Sequence, residues 1–188
     1  MVEVYNLKKD APKEVVDRVR AGEVFIYPTD TVYGIGCDAT NAEAVERVRA
    51  IKGNSPDKPF SIAFSDLAQV KKFIDLDPNM EKVMEEKLPG PFTLIVERGG
   101  IPKFVTGGLG TVGVRVPDCE LARDLLRKFG KPIITTSANP SRDKAPKAIS
   151  EIQGEFLGKV DFAIDGGPCK LGTPSSIIDL TRGGALVR

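Results

Sequence analysis

The stretch from Phe92 to Val116, FTLIVERGGIPKFVTGGLGTVGVRV, decides the kind of sheet this chain builds. Its two ends, 92–97 and 111–116, are rich in β-branched and aromatic residues and read as strands. Strands that follow one another through short connections, here and again near 175–188, argue for an α+β arrangement of the α/β type. That means a twisted mixed parallel and antiparallel sheet flanked by helices, not a purely doubly wound one.

On the N-terminal side, Asp10 is placed to cap a helix running to about Ala21, with Pro12 in its first turn and Gly22 closing it. Val15, Val16 and Val19 form its apolar stripe, and Glu23–Tyr27 reads as the next strand. Asn41 caps a second helix whose buried side is Ala44, Val45, Val48 and Ile51. A strand at 60–64, a short helix at 66–73 and a helix opened by Asp77-Pro78 and stopped by Pro89-Gly90-Pro91 lead into the quoted stretch. Beyond it, Asp118 caps a helix carrying Leu121, Leu125, Leu126 and Phe129, which Gly130 ends. A short strand at 132–136, a helix near 147–157, a strand at 161–165 and two closing strands near 175–188 complete the pattern.

The 188 residues fit one domain, 1–188, without a repeat or linker. No stretch approaches the roughly 20 apolar residues of a membrane span. The N-terminus MVEVYNLKKD carries acid and base too early for a signal peptide, so a cytoplasmic protein without a membrane partner is expected. Cys37, Cys119 and Cys169 lie far apart and offer neither a metal clip nor a disulfide framework. The chain has no histidine, which excludes Ser-His-Asp and Cys-His hydrolases. Chemistry must then come from positioning, lysine and arginine charge, hydroxyls or carboxylates. A net charge of +1 gives the whole chain no strong pull toward nucleic acid.

Four polar segments follow strands or interrupt turns. PTDTVYGIG (28–36) is either a strand end with a glycine-assisted turn or a site for a small polar ligand. KGNSPDKPF (52–60) brackets a Gly/Pro-rich loop with Lys52 and Lys58, which can bind phosphate as point charges, although the Walker spacing is absent. TTSANPS (135–141) is either a set of side-chain turns or a group of donors for phosphate or ribose oxygens. The fourth is GTPSSIID (172–179). Arg115, in a strand of apolar and small residues, needs either a carboxylate partner or an anionic ligand.

The order PTDTVYGIG, KGNSPDKPF, LPGPFTL, VGVRVP, TTSANPS, TPSSIIDL resembles the YrdC/Sua5 family along nearly the whole chain, in its short single-domain YrdC form. The resemblance implies a YrdC-like fold with a concave basic surface. It implies L-threonylcarbamoyladenylate synthase activity, a nucleotidyltransfer that joins L-threonine, bicarbonate or CO2 and ATP and releases pyrophosphate. Mg²⁺ would accompany the nucleotide, with no metal site of the protein's own. A separate tRNA threonylcarbamoyl-transferase would consume the product. Carried over by position, Thr29 and Thr31 contact threonine, with Ser175 or Ser176 close by. Arg115 engages the carboxylate or carbamate, and Lys52 and Arg115 are the catalytic pair. Lys52, Lys58, Ser137, Asn139 and Arg188 bind ATP. The sequence departs from the family pattern at Asn54, where arginine is common, at Ala63, where histidine is common, and at Ala145-Pro146-Lys147, where a serine is usual. A competing reading is a non-catalytic protein that grips double-stranded RNA or tRNA. A third, a carbamoyl-transfer domain of hydrogenase maturation, is disfavoured by the short chain.

Overall fold

Phe25, Ile26 and Tyr27 are consecutive and all buried, although successive side chains of a strand point to opposite faces. The sheet they belong to must therefore be covered on both sides. Phe25 and Tyr27 join one apolar cluster with Val15, Val19, Leu125 and Phe162. Ile26 joins the other, with Ile35, Val45, Val48, Ile62 and Val114. Ile133 and Ile134 divide in the same way.

The computed structural model describes residues 2–141 and 143–187. Its strands are β1 (Glu3–Asn6), β2 (Phe25–Tyr27), β3 (Gly34–Gly36), β4 (Ser61–Ala63), β5 (Phe92–Glu97), β6 (Thr111–Arg115), β7 (Ile133–Ser137), β8 (Phe162–Asp165), β9 (Ser176–Asp179) and β10 (Ala185–Leu186). The helices are α1 (Lys13–Arg20), α2 (Ala42–Lys52), α3 (Leu67–Val70), α4 (Pro78–Lys87), α5 (Lys103–Thr106), α6 (Glu120–Phe129) and α7 (Gly154–Leu157). The strands form one sheet in the order β1-β8-β2-β3-β7-β4-β6-β5-β9-β10. β1, β8 and β2 run parallel, as do β4 with β6 and β5 with β9, while β7 is antiparallel to both its neighbours. The mixed sheet expected from the 92–116 stretch is present, with β5 and β6 paired antiparallel. No helix among the described residues is long and apolar enough to cross a membrane.

Several boundaries differ from the sequence reading. Asp10 does not cap α1. Pro12 holds the N-cap position, and the Ala11 amide instead donates to the Asp124 carboxylate of α6 at 2.8 Å. Asp118 likewise gives way to Cys119 as the N-cap of α6 and pairs with Lys170 at 3.5 Å. The helix expected near 147–157 is broken into a 3₁₀ turn at Ile149–Glu151 and the short α7, because Ile152 turns extended to bury its side chain. The second half of PTDTVYGIG is a strand, not a turn: β3 pairs with β2 and β7. Asn41 and Asp77 cap their helices as read, and Asp66, read as the first residue of a helix to 73, caps the shorter α3.

Candidate active site

The chain after β2 folds around the Thr29 hydroxyl. Its oxygen accepts from the amides of Thr31 (3.2 Å) and Val32 (3.3 Å), and its proton goes to the Val32 carbonyl at 2.6 Å. This tight turn directs Asp30 and Thr31 toward the end of β6, where Arg115 Nη2 donates to Asp30 Oδ1 at 2.9 Å and to Thr31 Oγ1 at 3.0 Å. Both charged side chains are nearly out of solvent, at 8% and 2% exposure. Charges buried so deeply persist only when paired. One polar atom of each remains without a partner, Arg115 Nε and Asp30 Oδ2. The pair thus holds the guanidinium in place, with one buried donor unused.

That guanidinium borders a cleft of about 360 Å³ whose walls carry Thr29, Ser61, Thr93, Thr135, Ser137 and Ser175. Thr93 and Ser175 stand 2.8 Å apart, joining β5 to the loop before β9. Gly113 makes room for this floor, since a Cβ there would lie 2.6 Å from the Ser61 hydroxyl and 2.9 Å from the Thr93 methyl. Gly113→Ala is expected to displace the Ser61 and Thr93 side chains and to cost about 1–3 kcal/mol of folding stability. Urea unfolding measures this, and an unchanged midpoint would refute it.

The 52–60 loop closes one side of the cleft, with Lys58 in the wall. Lys58 Nζ donates to Asn54 Oδ1 (3.0 Å) and Ser141 Oγ (3.1 Å), and Ser141 in turn donates to Asn54 at 2.6 Å. Lys52 is buried at the end of α2, and its ammonium donates to the carbonyls of Ser137 (2.5 Å) and Asn139 (2.7 Å). Among the described residues neither lysine has a carboxylate partner; their hydrogen bonds go to neutral oxygens. Burial, helped by the nearby charge of Lys58, lowers the Lys52 pKa to about 8. An uncompensated Lys58 ammonium in a hydroxyl-lined cleft, with the buried Lys52 charge behind it, calls for an anion.

The Sua5_yciO_yrdC family model, described as "Telomere recombination", matches residues 17–188. The chain belongs to this family. It is 37% identical over 173 residues to the threonylcarbamoyl-AMP synthase of Pseudomonas fluorescens strain Pf0-1, covering 91% of this chain and 93% of the relative. Among solved structures, Sua5 of P. abyssi complexed with L-threonine superposes with a TM-score of 0.90 at 32% identity, over 98% of this chain and 56% of that one. E. coli YciO gives a TM-score of 0.88 at 29% identity, over the whole of this chain and 95% of that one.

Of the residues that the family resemblance singled out, Thr29, Arg115, Ser137, Ser175 and Lys58 line one cleft. Thr31 is fully buried behind it, braced against Arg115. Lys52 supports the 137–139 backbone from below, and Ser176 belongs to β9, where its amide donates to the Pro91 carbonyl. Asn139 faces a neighbouring cleft of about 630 Å³, with its amide nitrogen held by the Pro140 and Asp143 carbonyls and its buried oxygen without a partner. Arg188 lies outside the described residues. Sequence reasoning assigned no role to Ser61, Thr93 or Arg49, and read Asp30 only as part of a segment that would suit a small polar ligand. Asp30 and Thr93 stand inside motifs that were read, Asp30 in the turn after β2 and Thr93 on β5. The three cysteines are free thiols; burial raises all three and pushes Cys169 up to about 11.

Proposed function

We propose that this chain is a threonylcarbamoyl-AMP synthase, condensing L-threonine, bicarbonate or CO2 and ATP to threonylcarbamoyl-AMP and pyrophosphate. The observation that carries this reading is the buried Arg115–Asp30 pair in the wall of a hydroxyl-lined cleft that an unneutralised lysine closes. The threonine carboxylate, or the carbamate formed from its amine, meets Arg115, and the hydroxyls of Thr29, Thr93 and Ser175 surround the rest. The triphosphate lies along Lys58 and the 137–141 segment, with the Lys52 charge beneath. The adenosine falls on the far side of that segment, against Pro140, Pro146 and Ile152 of the larger cleft.

The chemistry asks little of a protein base, which suits a chain without histidine. The neutral threonine amine adds to CO2 and loses a proton to give the carbamate. A carbamate oxygen then attacks the α-phosphorus, and the bond to pyrophosphate breaks on the opposite side. Alignment and charge neutralisation are the protein's share, and they supply most of the rate in phosphoryl-type transfers. Among the described residues no cluster of three or more metal-ligating side chains exists. Mg²⁺ therefore enters this reading as part of the nucleotide, and no step is assigned to it. A cytoplasmic tRNA threonylcarbamoyl-transferase is the consumer of the product. Incubation with ATP, L-threonine and labelled bicarbonate, followed by mass spectrometry, is expected to give labelled threonylcarbamoyl-AMP; no product where a family control makes it would refute the reading.

Lys52 gives this site a pH dependence. Its pKa in the folded chain is about 8 against an ordinary 10.5, so between these values the unfolded chain holds the proton and the folded chain does not. Its contribution to stability accordingly rises with pH over that window. ATP needs the ammonium form, so nucleotide affinity moves the other way and is expected to fall about tenfold per pH unit above pH 8. Calorimetric titration at pH 7 and pH 9 measures this; equal affinities would place the Lys52 charge outside the nucleotide's reach.

A further inference from the structure

We propose that Arg49 is a positioning residue for the nucleotide, holding the 53–60 loop so that Lys58 stands over the cleft. The proposal rests on the reading of Lys58 as a phosphate contact.

The loop cannot hold itself. None of residues 53–59 is buried, so it has no apolar core of its own. Arg49, one turn before Lys52 on α2, is buried, and its guanidinium supplies what the loop lacks. Nη1 donates to the carbonyls of Ser55 (3.1 Å) and Lys58 (2.7 Å), the two ends of a turn that the Lys58 amide closes on Ser55 at 3.1 Å. Nη2 donates to the Phe104 carbonyl of α5 at 2.7 Å. Its Cζ lies over the Phe60 ring, 4.8 Å from the ring centroid. Its remaining contact is Nε to Glu46 at 3.1 Å, and Glu46 is 58% exposed. An ion pair so open to solvent adds little by itself.

The geometry is that of a clamp. Arg49 ties one loop to α5 through three carbonyls in a fixed planar fork, which a lysine cannot reproduce. The floor under the clamp is Gly107, at φ +61°, where a Cβ would lie 2.1 Å from the Asp57 carbonyl oxygen. Pressed against bare backbone below and held by Arg49 from the side, the Lys58 backbone has one position available. Its side chain is then aimed by Asn54 and Ser141. Arg49 never touches the cleft itself.

The test is a double-mutant cycle in the full chain with Arg49→Met, Arg49→Lys and Lys58→Ala. Lys58→Ala is expected to raise the KM for ATP about tenfold, the loss of one charge-assisted contact. Arg49→Met should raise it by a similar factor, leave the KM for threonine unchanged, and add nothing in the Lys58→Ala background. Arg49→Lys should fall between wild type and Arg49→Met, and it carries the test if Arg49→Met does not fold. Additive effects, or equal changes in the two KM values, would overturn the proposal. An unchanged ATP KM in Lys58→Ala, with Arg49→Met still impaired, removes the phosphate reading of Lys58 and the proposal with it.

Discussion

Arg115→Met is expected to lower kcat/KM for threonine by about a thousandfold, roughly 4 kcal/mol of transition-state stabilisation. The side chain is the only cation in the wall of the cleft besides Lys58 among the described residues, and its buried Nε has no hydrogen-bond partner. The same substitution strands the Asp30 carboxylate at 2% exposure, next to a thioether instead of a guanidinium. Breaking a buried pair from one side costs about 3–5 kcal/mol of folding stability. Two losses are therefore mixed in one variant, and a second separates them. Arg115→Met with Asp30→Asn removes the stranded charge, so it should regain most of the stability in urea unfolding and none of the activity. A double variant that recovers catalysis would mean that Arg115 serves only as Asp30's partner.

Lys52→Met is expected to behave in the opposite way. Nucleotide affinity should fall about a hundredfold, the upper range for a contact involving a charged group. Stability should change by no more than about 1–2 kcal/mol, because the cost of the buried ammonium disappears together with its bonds to the Ser137 and Asn139 carbonyls. Calorimetric titration with ATP and a thermal melt of the same sample report both. Wild-type ATP affinity in this variant would show that the nucleotide lies elsewhere. The two outcomes together would separate two kinds of buried charge, one that holds the fold and the ligand and one that the fold tolerates for the ligand's sake.

The sequence made visible what depends on local pattern. Turn-capping side chains at Asn41, Asp66 and Asp77, the apolar stripes of α1 and α6, and the β-branched runs of β5 and β6 all act over a few residues. The β3 strand was misread because its two glycines look like turn residues, and only the pressing of β7 and the Tyr27 ring against them shows why they are there. β1 and α5 went unread, being short segments whose stability comes from partners distant in sequence. At the site, the hydroxyl and cation residues were legible from ordered motifs, yet motifs do not say which atoms face the ligand. Thr31 and Lys52 were read as contacts and sit one layer behind. Arg49 was hidden because a helix stripe assigns charged residues to solvent, and no periodicity records three backbone carbonyls waiting elsewhere in the chain.

The two lysines differ in one further respect, their access to water. Lys58 is exposed, whereas Lys52 is 5% exposed. Mobile ions crowd around the first and cannot reach the second. The screening length shrinks from about 10 Å at 0.1 M salt to about 3 Å at 1 M. Raising the ionic strength should therefore strip away the Lys58 share of nucleotide binding and spare most of the share belonging to Lys52. On the proposed reading, nucleotide binding would then have a part that salt dissolves and a part that it does not.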